Sequence, residues 1–334
     1  MKRVLLSTLL LIAATVFSCG DNSTDDGDDF TDSDGTNYKQ EMRNFVQNIS
    51  MYSKTEKPGF IIIPQNGHEL LTVNGEETGT PAGNYITAID GVGREDLFYG
   101  YDDDNAATPA ADRSYMTAFM DIAEENGVQV LVTDYCSTHS FMDDSYEQNA
   151  ARDYISIAAD HRELDNIPDY PAVPYNINAS DVKTLAEAKN FLYLLNPGPY
   201  STKAAFLNVL KNTDYDVLII DLFYDGTEQL TPDDASSLKV KANGGSHLVI
   251  AYMSIGESEN YRYYWRAEWE KNPPSWLAGE NPGWPGNYKV RYWDESWQKI
   301  IYGNIDSYIK KIIDAGFDGV YLDIIDAFEY YENQ

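Results

Sequence analysis

Carboxylates recur in this sequence where short apolar runs end. Ile89-Asp90, Leu131-Val132-Thr133-Asp134, Ile157-Ala158-Ala159-Asp160, Leu218-Ile219-Ile220-Asp221 and Val320-Tyr321-Leu322-Asp323 each put an acid directly behind an apolar stretch. Two more runs reach one a few residues later, at Glu69 after Phe60-Ile61-Ile62-Ile63 and at Glu257 after Val249-Ile250-Ala251-Tyr252. Apolar runs of this length read as buried parallel strands, so each acid stands where a strand opens onto a loop. In an α/β barrel that end of the strands carries the reacting groups. One such acid is ordinarily a helix N-cap, which is the plain reading of Asp323 alone. A rim of them reads as a site that can donate and accept protons.

The elements that must hold this rim can be read from the chain. Strand-like runs fall near 59–63, 86–90, 128–134, 155–158, 190–195, 216–221, 247–254 and 318–323. Helical patterns lie between them at 113–126, 200–212, 232–242 and 295–313, with weaker ones near 145–152 and 180–188. Residues 70–85 read as a loop with one turn. In the long 295–313 pattern Ile301, Ile305, Tyr308 and Ile312 share one helical face, and Gly316 suits the left-handed residue that ends such a helix. Strand–helix alternation with eight runs predicts a single (β/α)8 TIM barrel over residues 41–334. A doubly wound open sheet is the alternative, but no glycine-rich dinucleotide or phosphate loop supports it.

The 334 residues, 43% of them hydrophobic, suffice for one large core. Ahead of it, Lys2-Arg3 and the apolar Val4 to Phe17 form a signal segment, residues 1–18. It ends in Val16-Phe17-Ser18-Cys19, which resembles a lipoprotein cleavage box and makes Cys19 the expected lipidation site. The expected location is therefore a bacterial outer membrane, with the protein facing the periplasm or the cell surface and touching the bilayer only through its lipid. Residues 19–40 read as a flexible acidic tether. Cys136, the other cysteine, reads as a packed thiol.

A formal charge of −30 argues against nucleic acid and anionic glycans and favours cationic ligands. The four histidines show no metal-ligand spacing, so neither a metal nor a cofactor is expected, and a zinc-dependent deacetylase is disfavoured. Aromatics make up 13% of the chain, and all six tryptophans fall between Trp265 and Trp297, in a long segment behind the seventh strand. These rings either pack that segment onto the barrel or stack on sugar rings. Trp284, Trp293, Tyr261 and Tyr288 are the expected ligand contacts, and most of the others are expected to be buried.

Tyr252-Met253-Ser254-Ile255-Gly256-Glu257, Trp284-Pro285-Gly286-Asn287-Tyr288, Gly316 through Asp323 and Ile62-Ile63-Pro64-Gln65-Asn66-Gly67 together resemble glycoside hydrolase family 114. The likeness runs over roughly residues 41–334 and includes extracellular bacterial and archaeal proteins once labelled cysteinyl-tRNA-synthetase-related. The family order puts the Tyr-Leu-Asp strand ahead of the Pro-Gln-Asn-Gly segment. Here the order is reversed, which implies a circularly permuted barrel. The resemblance implies an endo-α-1,4-polygalactosaminidase acting on a galactosamine or N-acetylgalactosamine polysaccharide, a cationic amino-sugar polymer when deacetylated; a monomer is expected.

Glycoside hydrolysis needs two carboxyl groups flanking the bond. The resemblance points to Asp323 and to Glu69, with a short, retaining separation expected between them. Asp221, Asp134, Asp90, Glu95, Glu257, Tyr252, Gln65, Asn66 and Arg262 are secondary candidates for substrate binding, the acids serving either substrate or Arg94 and Arg262. A glycan-binding lipoprotein on an inactive barrel is the competing reading.

Overall fold

A computed structural model describes residues 35–334. The expected signal segment, Cys19 and the first part of the expected tether lie outside the described residues. The first described helix, α1 (Tyr38–Glu56), begins inside the stretch read as tether. Its Asn37 side chain caps it by accepting from the Gln40 amide at 2.8 Å, which satisfies one of the open N–H groups of the first turn. Met42, Phe45, Val46 and Ile49 follow at helical spacing and are fully buried. Phe45→Ala there would cost roughly 3–5 kcal/mol.

Eight parallel strands form the interior: β1 (Ile61–Pro64), β2 (Gly91–Glu95), β3 (Gln129–Tyr135), β4 (Ile155–Ala159), β5 (Phe191–Tyr193), β6 (Val217–Asp221), β7 (Leu248–Ser254) and β8 (Gly319–Asp323). They make two sheets, ordered β1-β8-β7-β6-β5 and β2-β3-β4. The first and last strands are hydrogen-bonded neighbours, with Ile61 beside Gly319 and Pro64 beside Leu322. Between the sheets, Gln65 bridges to Gly93 and the Asn66 amide donates to the Gly93 carbonyl. At the other junction β4 and β5 lie side by side without a ladder among the described residues. The fold is thus α/β with parallel strands, whose nearly unbroken apolar runs are covered on both faces.

Helices α2 (Gly83–Ala88), α3 (Ala110–Glu125), α4 (His139–Ala150), α5 (Lys203–Lys211), α6 (Pro232–Ser237), α7 (Glu295–Ile301), α8 (Tyr308–Asp314) and α9 (Ala327–Glu332) complete the layer. Three expectations shift. The run at 86–90 belongs largely to α2, and the strand is the glycine-broken segment behind it, so Asp90 precedes β2 instead of ending a strand. The 295–313 helix is two helices parted near Gly303 (φ 92°), and Ile305 in the gap is 81% exposed while Ile301, Tyr308 and Ile312 are buried. The 180–188 pattern is only a short 3-10 turn, Leu185–Glu187.

Candidate active site

Side chains alternate across a strand, and the register sorts the rim into two faces. Tyr321 and Asp323 of β8 share a face with Tyr252 of β7, which pairs with Tyr321 on one side and with Asp221 of β6 on the other. Tyr193 of β5 meets this face, its ring 5.2 Å from that of Tyr321, and its hydroxyl donates to Gln65 Oε1 at 2.9 Å. From the second sheet Gly93 and Glu95 of β2 join it. Any side chain at Gly93 would put a Cβ 2.0 Å from the Tyr321 hydroxyl, so the glycine is the space in which that ring lies. This face is the interior between the strands.

Asp323 accepts from the Tyr252 hydroxyl at 2.6 Å and from the Ile324 amide at 2.8 Å. Burial, and after it the charge of Glu95, push its carboxyl up to about 7, although both hydrogen bonds oppose the rise. Ile324 sits at φ 59°, a region a β-branched residue rarely enters, so the turn that aims Asp323 is strained. Asp323 is not a cap; the residue at the start of α9 is Asp326.

Glu95 accepts from the Tyr135 hydroxyl at 2.5 Å and from Asn66 Nδ2 at 3.0 Å, and its own amide donates to Asn66 Oδ1 at 3.2 Å. The Tyr193, Tyr252 and Tyr321 phenols are held far above their usual range by burial, and after it by Tyr321 for Tyr193, by Asp323 for Tyr252 and by Glu95 for Tyr321, so they remain protonated donors. The Tyr321 hydroxyl is buried with no hydrogen-bond partner. The interior therefore offers Asp323, titrating near neutrality, and Glu95 inside a ring of phenols.

Several expected site residues lie elsewhere. Glu69 belongs to a 3-10 turn (His68–Leu71) on the helix side, where the charges acting on it are Lys39, Arg94 and Glu332. Burial raises its carboxyl, and its Oε2 is buried without a hydrogen-bond partner. Beside it Arg94 Nη1 donates to His68 Nδ1 at 3.2 Å, and burial followed by that guanidinium lowers His68 to about 3. The acids acting on Asp323 are Glu95 and Asp326. Of these, Glu95 acts more strongly on Asp323 than Asp326 does.

Asp134 points the opposite way from its neighbour Tyr135, into the α4 packing. It is fully buried and accepts from the Phe98 and Tyr99 amides, Ser145 Oγ and Asn149 Nδ2. Asp90 accepts from the Ile62 amide and pairs with Lys54 at 3.0 Å, at the entry end of the strands. Neither faces the interior, because strand parity and strand position put them elsewhere.

Asp221 does face inward, but Arg262 Nη1 holds it at 2.7 Å while Arg262 Nε holds Glu259 at 2.5 Å. That arginine side chain is 1% exposed, so it is bound to acids and closed to a ligand. Tyr261 donates to Glu259 from an exposed position. Glu257 is buried in a small antiparallel sheet (Glu257–Glu259, Asn287–Val290, Leu277–Glu280), where Asn281 donates to it at 2.8 Å. The tryptophans divide in the same way. Trp276 and Trp297 are buried, Trp293 packs 5.0 Å from Tyr38 and 4.7 Å from Tyr331, and Trp265 lies 4.9 Å from Tyr288. Trp284 alone among the six is counted as exposed, at 62%.

The interior tyrosines Tyr135, Tyr193 and Tyr321 escaped the sequence reading. Their signal was present as Tyr-x-Asp spacing on β8 and as tyrosine among apolar strand residues.

The parallel α/β fold thus gathers two carboxyls and a ring of phenols at one end of its strands. Residues 175–334 match the model of glycoside-hydrolase family GH114. The segment carries Asp221, Tyr252 and Asp323; Glu95, Gln65 and Asn66 precede it. The chain is also 42% identical over 176 residues to an uncharacterized protein of Methanocaldococcus jannaschii, covering 52% of this chain and 49% of that protein. Uncharacterized proteins of Thermotoga maritima (39% identity, 37% of each chain) and Deinococcus radiodurans (39% identity, 38% of this chain and 39% of that one) are similar too. The chain thus spans half or less of the length of these relatives.

Proposed function

We propose that this protein is a retaining endo-glycosidase that cleaves α-1,4-linked galactosamine or N-acetylgalactosamine polysaccharide with Asp323 and Glu95 as its two carboxyl groups. The observation that carries the reading is the Asp323 carboxyl, pushed up to about 7 by burial and by Glu95. Two acids whose surroundings set them apart divide into donor and acceptor. Protonated Asp323 donates to the leaving glycosidic oxygen, and Tyr252 steadies it. Glu95 accepts two hydrogen bonds and donates none through its carboxylate, which suits attack on the anomeric carbon. In the second step Asp323 takes a proton from water, and that water releases the sugar from Glu95.

The eight strands are read as one (β/α)8 barrel in circularly permuted order. Supporting this are the β1–β8 ladder, the Gln65–Gly93 bridge and the contact of β4 with β5. Exposed Trp284 and Tyr261 offer sugar-stacking surfaces beside the rim, and the net charge suits a cationic polymer. Cys19 is proposed as the lipid anchor to the outer membrane; Cys19→Ala would release the protein from the membrane fraction, and retention there would refute the anchor. A panel of glycans that includes partly deacetylated galactosamine polymers tests the substrate. Chain shortening on those alone is expected; cleavage confined to neutral glucans would reject it.

A further inference from the structure

The loop behind β4 carries a partly exposed arginine, and two of the groups it holds adjoin Glu95. Arg162 grips Asp96, the residue after Glu95, with both terminal nitrogens, at 2.8 and 3.2 Å. The same guanidinium donates to Asp104 and to the Gly100 carbonyl, and it lies 4.2 Å over the Tyr135 ring. Tyr135 in turn donates to Glu95 Oε1 at 2.5 Å.

The backbone here is strained in a way that needs such a grip. Asp96 has φ 60°, the left-handed region that costs an L-residue about 1–2 kcal/mol, and strain of this kind persists only where neighbours over-determine it. Gly100 is part of the same device. A Cβ there would stand 2.4 Å from Asp96 Oδ1 and 3.2 Å from Arg162 Nη2, so only glycine lets the loop close over the ion pair. An ordinary surface pair contributes little. Here one planar guanidinium joins two acids, a carbonyl and a ring, a geometry lysine cannot copy.

We propose that Arg162 is a positioning residue that fixes the direction of Glu95 from outside the interior, through Asp96 on the backbone side and Tyr135 on the carboxylate side. It rests on the reading of Glu95 as a reacting carboxylate. Arg162 does not bind the sugar; it sets where Glu95 points.

Crystal structures of Arg162→Ala and Arg162→Lys, with kinetics on a deacetylated galactosamine polymer, test it. In Arg162→Ala the Tyr135–Glu95 hydrogen bond should open or Asp96 should leave its left-handed conformation. On the polymer kcat should fall roughly 100-fold, the cost of a misplacement near 1 Å, with KM held. Lysine should restore little. Tyr135→Phe combined with Arg162→Ala should cost less than the sum of the two, since they act along one path. Unchanged geometry at both Asp96 and Glu95 in the alanine variant would overturn the proposal. So would a rise in KM at constant kcat, which would make Arg162 a substrate contact. If the wild-type protein cleaves no galactosamine polymer, the substrate reading fails, and the structures alone decide the role of Arg162.

Discussion

Asp134 and Asp323 both end apolar strands, and they do opposite work. Asp134 faces the helices, where two backbone amides, a serine and an asparagine meet its oxygens. Asp323 faces the interior, where it receives two hydrogen bonds and the field of another acid. A buried acid whose acceptor sites are filled is a joint between elements. Burial raises both carboxyls, but Asp323 also faces a like charge across the interior, and such a pair is what acid–base chemistry uses. Glu69 shows that displacement is not sufficient: burial raises it too, but it lies among the helices. Direction relative to the strands separates the two cases.

The comparison breaks most visibly at Asp323. Asp323→Asn should reduce cleavage by about 10²–10⁴-fold, the usual weight of a positioned acid or base. The same change should stabilise the fold in alkali. The Asp323 carboxyl titrates near 7 when folded against an ordinary 3.8, so the folded state holds the extra proton between these values. Its favourable share of stability is complete below about 4 and lost as pH rises through 7. The asparagine variant should therefore melt above wild type at pH 8, with the gap closing towards pH 4; a lower melting point at pH 8 would contradict the assignment. Wild-type turnover should fall above about pH 7 as the same proton is lost.

Trp293→Ala should cost about 3 kcal/mol of stability, because its ring is packed between Tyr38 and Tyr331. Thermal melting reads this directly, and an unchanged melting point would make it a ligand residue after all. Tyr252→Phe removes a donor to ionised Asp323. Turnover should drop about tenfold, since hydrogen bonds to charged groups carry roughly 1.5–3 kcal/mol, and the alkaline limb should move to higher pH because that bond lowers the Asp323 titration. A limb that moves down would break the link. Trp284→Ala should leave melting unchanged and weaken polymer binding about fivefold, near 1 kcal/mol for a stacking ring; calorimetric titration with the polymer checks it.

Much of this arrangement could be read from residue order. Runs such as Val217 to Ile220 and Val320 to Leu322 are unbroken by charge, which is the mark of strands covered on both sides, and their ends located Asp221 and Asp323. β2 was hidden because Gly91, Gly93 and Arg94 interrupt it, and Gly93 is there to admit Tyr321. That gap displaced the strand to 86–90, promoted Asp90 and left Glu95 among the secondary residues. α1 was legible in the spacing of Met42, Phe45, Val46 and Ile49 but was masked by the acidic stretch ahead of it. What residue order cannot supply is which way a loop residue turns. Glu69, four residues beyond the Gln65–Gly93 bridge, is carried by its 3-10 turn towards Lys39 and Glu332.

The decisive measurement is the turnover of Glu95→Gln and Glu69→Gln, side by side, on deacetylated galactosamine polymer. The account predicts that Glu95→Gln loses about 10²–10⁴-fold while Glu69→Gln keeps most of the wild-type rate, both folding normally. Loss in Glu69→Gln with activity retained in Glu95→Gln would contradict it.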